Sequence, residues 1–119
     1  MAYIDIEDVN KAIQFCEKAL HIDREIGDRR GEGADLGNLG SAYAALGENN
    51  KAIELYEQGL MISREVEDRR NEGAILGNMG RLYKALGDIP SALKYYELAL
   101  IIARATGDRR NEGNTLGDI

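Results

Sequence analysis

The 119-residue chain has no tryptophan and only one phenylalanine, one cysteine, one histidine and one proline. Cys16 alone cannot close an internal disulfide, and Cys16 with His21 cannot assemble a Cys/His metal set. No apolar run is long enough to span a bilayer, and no basic-then-apolar leader is present. Positive charge is scarce as well: 15 Lys and Arg against 21 Asp and Glu give a net charge of -6. That balance disfavours general binding to nucleic acid or to anionic membranes. A soluble, intracellular (cytoplasmic) chain without metal or cofactor is the expectation.

Glycine, by contrast, is abundant. The 14 glycines form no Gly-rich linker and fall inside periodic segments. In a helix interior each costs about 1 kcal/mol relative to alanine, so close packing or close approach of a ligand must compensate. Several belong to a heptapeptide, Gly27-Asp-Arg-Arg-Gly-Glu-Gly33, which returns from Glu67 to Gly73 and from Gly107 to Gly113. A constant spacing of this size marks a repeated supersecondary unit, and repeat arrays work through extended surfaces.

Within one period Leu36, Leu39, Tyr43 and Leu46 follow helical steps of three and four, and a second apolar run carries Ala52, Ile53, Leu55, Tyr56, Leu60 and Ile62. Gly47 closes the first run, Asp68 offers a cap for the next, and Pro90 falls at a helix start, where its missing N–H is harmless. The pattern predicts an all-α chain with helices near 8–26, 28–46, 49–66, 68–86, 89–106 and 108–119. No alternating strand segment competes.

Leu39-Gly40-x-x-Tyr43-x-x-Leu46-Gly47, followed by Ala52, Tyr56, Gly59 and Leu60, resembles the tetratricopeptide repeat. Met79-Gly80-x-x-Tyr83-x-x-Leu86-Gly87, followed by Ala92, Tyr96, Ala99 and Leu100, has the same skeleton. The resemblance covers residues 11–119. Leu36 and Leu76 stand where the family often has tryptophan, and Arg64 and Arg104 where it usually closes with proline. The period is longer than the common one of about 34 residues, similar to that of the Leu-Gly-Asn-repeat spindle-orientation adaptors and of many bacterial arrays. Leu36-Gly37-Asn38 and Leu76-Gly77-Asn78 occur here, three residues earlier than in those adaptors. The resemblance implies a right-handed helical-repeat superhelix, a solenoid of about three antiparallel helix pairs. It also implies non-catalytic protein or peptide binding in a concave groove.

Helical geometry divides each first helix into sectors. Leu36, Gly40 and Tyr43 suit packing on the second helix of the same repeat, while Leu39 and Ala42 point toward the preceding one. The remaining sector carries Arg30, Asn38 and Ser41, then Arg70, Asn78, Arg81 and Lys84, then Arg110 and Asn114, with Gly117 and Asp118 beside them. In the family this sector lines the groove. Asn can bond to an extended peptide's amides and Arg can clasp its carboxylates, so an extended acidic peptide is the expected partner. The plainer alternative pairs Arg30 with Asp28 or Glu32. Arg29, Arg69 and Arg109 lie off this stripe and are read as structural or solvated.

Other signals carry less. Gly31-x-Gly33 with Gly37 imitates a phosphate loop but follows a helix and lacks the spacing. Cys16 takes the place of Tyr56 and Tyr96 and is expected as a buried core thiol. His21 aligns with Met61 and Ile101, a position expected to be half-buried. Glu54, Glu57 and Glu65 lie on or beside solvated faces without a converging pocket, so no enzyme is expected.

Aligned by period, the chain is a single array over 1–119, or a fragment of a longer one, that begins and ends within a first-type helix. Tyr3, Ile4, Ile6, Leu116 and Ile119 would then present apolar edges. Head-to-tail association or exchange of terminal helices between copies is the alternative function to peptide binding.

Overall fold

A computed structural model describes residues 5–119. It contains α1 (Ile6–Ile26), α2 (Arg29–Ala45), α3 (Asn49–Glu65), α4 (Arg69–Ala85), α5 (Ile89–Thr106) and α6 (Arg109–Asp118), and no strand among the described residues. Five of the six expected helices start or stop within a residue of the positions read from the periodicity. The exception is α1, which opens at Ile6 because the side chain of Asp5 accepts from the Glu7 N–H at 2.9 Å. Ile6 is therefore the first residue of α1, two positions before the expected start.

The starts of α2, α4, α5 and α6 repeat this capping logic. Asp28, Asp68 and Asp108 accept from the N–H of Gly31, Asn71 and Asn111, at 3.0, 3.3 and 3.1 Å. Asp88 accepts from Ser91 at 3.2 Å, with Pro90 in the first turn of α5. A carboxylate there satisfies an otherwise orphaned donor and complements the helix dipole.

Helix ends turn through the left-handed region at Gly27, Gly47, Gly87 and Gly107. At the matching place after α3 stands Glu67, the one described non-glycine residue with positive φ, at 58°. A side chain in that conformation costs about 1–2 kcal/mol. Glu67→Gly is therefore expected to raise stability by about 0.5–1 kcal/mol, the remainder being offset by the greater freedom of glycine in the unfolded chain. A urea melt of the two proteins reads this; an unchanged or lowered midpoint contradicts it.

The chain forms two compact units divided within α3, the first ending at Ile62 and the second starting at Ser63. In the first, α1 packs on α2, and Ile13, Leu20, Leu36, Leu39, Leu55 and Ile62 make one core cluster with Cys16 packed against it. In the second, α5 packs on both α4 and α6 around Tyr96, Ile75, Leu76 and Met79, all at 1% exposure. Burial of such side chains contributes roughly 1.5–3 kcal/mol each.

Glycine lets the paired helices approach. A Cβ at Gly40 would lie 2.7 Å from the Tyr56 ring, and one at Gly80 2.7 Å from the Tyr96 ring. Close packing, not ligand approach, explains these two glycines. Among the described residues no helix is long and apolar enough to cross a membrane.

Candidate functional site

The recurring heptapeptide turns out to be a junction. Besides its capping aspartate, its glutamate receives an arginine from the last turn of the preceding helix. Arg24 Nε donates to Glu32 at 3.2 Å, Arg64 to Glu72 at 2.9 Å and Arg104 to Glu112 at 2.8 Å. Glu32 also accepts from Arg29 Nη1 at 3.0 Å and is buried, so Arg24 and Arg29 both reach that acid. The arginines are about half exposed, and each such pair contributes at most about 1 kcal/mol. Arg64 and Arg104 thus have a positive role at the place of the family's proline.

In the first unit, Arg30 and Asn38 are exposed on α2. Ser41 is half-buried, its hydroxyl 2.9 Å from that of Tyr56, so it serves the α2–α3 contact.

The second unit brings more of the stripe together. Between α4 and α6 lies a cavity of about 100 Å³, floored by Gly73, Ala74 and Gly77 and bordered by Asn78, Arg81, Asn114 and Asp118. Beside it, Arg70, Arg110 and Asn114 edge a wider hollow with Asp108. Small residues make that floor possible: a Cβ at Gly77 would meet only the Thr115 hydroxyl, at 3.9 Å.

Both sites carry acids opposite the cations. Arg81 Nε donates to the Asp118 carboxylate at 2.6 Å, and Lys84 Nζ to the Asp118 carbonyl at 2.8 Å. Arg70, 79% exposed, has its Nε 3.7 Å from the Asp108 carboxylate. Arg110 and Asn114 are exposed. The sequence reading placed Asp118 on the stripe but did not foresee its pairing with Arg81. The signal was there: position 118 matches Asn38 and Asn78, and position 81 matches Ser41, so the acid and the base enter together.

Tyr96 is affected by this exchange. Its hydroxyl is buried and has no hydrogen-bond partner among the described residues. Burial pushes its pKa up, the Asp118 charge adds to the rise and the Arg81 charge opposes it. Its counterpart Tyr56 meets Ser41, but Arg81 occupies the corresponding place beside Tyr96 and turns to Asp118 instead.

A second feature that sequence reasoning missed lies in the first unit. Asp35 stands where the other repeats have Ile75 and Thr115, and its pKa is pushed up to about 7. Burial is the main cause, followed by a hydrogen bond with Asp23 and the charges of Asp23 and Asp28. Cys16, half-buried and not fully buried as expected, has its thiol pushed up by burial and then by Asp35. His21 is exposed, not half-buried, with Nε2 3.0 Å from Glu25. Met61 and Ile101, at the same place, are exposed as well, at 61% each. The position faces outward in every repeat.

Of the expected association residues, Tyr3 and Ile4 lie outside the described residues. Ile6, Leu116 and Ile119 are 64%, 51% and 56% exposed. Among the described residues no group of three His, Cys, Asp or Glu side chains is placed to hold a metal ion.

Two family models, each described as a tetratricopeptide repeat, match the chain over residues 1–65 and 75–110. No curated protein matches it. The first model alone covers more than half of the chain, and the glycine–tyrosine helix contacts agree with it. The chain belongs to the tetratricopeptide repeat family.

Proposed function

We propose that the chain is a peptide-binding scaffold whose α4–α6 face takes an extended acidic segment of a partner protein. Tetratricopeptide repeats in general are non-catalytic scaffolds for protein–protein interaction. The observation that carries the finer reading is that Arg81 and Lys84 already hold an aspartate, through its carboxylate and its backbone carbonyl. Arg70 and Arg110 add exposed positive charge beside them, and Asn78 and Asn114 can bond a peptide's amides. In the first unit, Arg30 and Asn38 supply the same chemistry on α2 as a separate contact.

Selection from a random peptide library tests this. Bound peptides are expected to be enriched in Asp and Glu, and Arg70→Glu with Arg81→Glu should lose them while keeping its helical circular dichroism. Enrichment of any other class, or full retention by the double variant, removes the proposal.

A second reading, association of copies through Ile6, Leu116 and Ile119, has one observation in its favour. Leu116 and Ile119, 51% and 56% exposed, match Leu76 and Met79, which are 1% exposed. Light scattering over a concentration series would show growth that salt does not reverse, and a strict monomer at high concentration rules it out.

A further inference from the structure

The α4–α6 site contains its own acid, and the orphaned Tyr96 hydroxyl lies beside it. In the first unit the equivalent tyrosine is satisfied: the Tyr56 hydroxyl is 2.9 Å from Ser41. In the second, Arg81 replaces that serine, and its Nε goes to Asp118 at 2.6 Å. A buried hydroxyl without a partner is unfavourable, because it has given up its hydrogen bond to water. The Arg81–Asp118 pair is about half exposed on the arginine side (54%), and a pair exposed to this degree is only weakly stabilising. Another carboxylate can therefore replace Asp118 on Arg81 at little cost. An arrangement of this kind is poised for exchange.

We infer that Asp118 is a built-in competitor for the acidic ligand, occupying Arg81 until a carboxylate of the partner displaces it. This rests on the proposed acidic-peptide reading and adds its regulation. An incoming peptide offers several carboxylates where Asp118 offers one, so it can engage Arg81, Arg70 and Arg110 together. Once Arg81 is released from Asp118, its guanidinium has further N–H groups, one of which can donate to the Tyr96 hydroxyl oxygen. Lys84 holds the Asp118 backbone oxygen, not the carboxylate. The end of α6 therefore keeps an anchor when the side chain lets go.

The test uses fluorescein-labelled hexaglutamate and fluorescence anisotropy on the full chain. Asp118→Asn removes the competing charge and leaves the Lys84 contact in place. It is expected to bind the probe about two- to fivefold more tightly than the unaltered chain, the fold-change matching loss of one such ion pair. Glu97→Gln, an exposed site on α5, changes the net charge equally and is expected to bind as the unaltered chain does. Equal affinity of all three proteins, or equal gains in both variants, overturns the role of Asp118 and leaves the peptide reading standing. Weaker binding by Asp118→Asn, with its helical signal intact, overturns that role too. Binding by none of them overturns both.

Discussion

Gly80→Val is expected to lower the stability of the fold by about 3 kcal/mol, the upper end for overpacking a closed core. The added Cβ would lie 2.7 Å from two carbons of the Tyr96 ring. That ring cannot swing aside, because Tyr96 is 1% exposed and enclosed by α4 and α5. Valine then adds two methyl groups to a position that does not admit the first carbon. Gly77, one turn earlier on α4, is the control. A Cβ there meets only the Thr115 hydroxyl at 3.9 Å, so Gly77→Ala should gain up to about 1 kcal/mol from helix propensity. Urea denaturation followed by circular dichroism reads both. If the two substitutions move the midpoint in the same direction, close helix approach is not what glycine supplies at position 80.

Asp35→Asn is expected to raise the melting temperature at pH 8 by roughly 5 °C and to change it little below pH 4. Asp35 has its pKa pushed up to about 7, mainly by burial and then by Asp23 and Asp28. The folded value exceeds the unfolded one of 3.8, so the folded chain binds more protons between those two pH values. Its stabilising contribution is complete below the unfolded value. It is lost as pH rises through the folded value, above which Asp23 and Asp35 oppose each other as anions. Arg24 and Arg29 at this junction both pair with Glu32. Asparagine keeps the size and removes the titration, and the difference between the two proteins isolates this group. A difference that does not vary between pH 4 and pH 8 contradicts the account.

Repetition made much of the fold legible. Capping by Asp28, Asp68 and Asp108 follows from a short acceptor standing before a helical run, and the tyrosine–glycine contacts follow from angular sectors. Both are local or nearly local properties, which a periodic pattern records. What was not legible depends on neighbours far along the chain. Arg81 and Asp118 are 37 positions apart, and only the packing of α4 beside α6 joins them. The sector containing Arg81 could be read, and Asp118 with it; that the two side chains meet could not. Asp35 was overlooked for a different reason. Its own helix looks ordinary, and the anomaly emerges only when it is laid beside Ile75 and Thr115. His21 misled because apolar residues at the same place, Met61 and Ile101, suggested partial burial, whereas the helix presents that position to solvent in each repeat.

Titration of labelled hexaglutamate against the unaltered chain and the Arg70→Glu, Arg81→Glu variant tests the central claim most directly. Reversing both charges replaces two attractive contacts with repulsive ones, and affinity should fall by about 100-fold. Binding to the unaltered chain should also weaken as salt rises, since Arg70 and Arg81 are exposed. Both proteins should melt as helical folds. Equal, salt-insensitive affinity for the two would contradict an acidic-peptide site on the α4–α6 face.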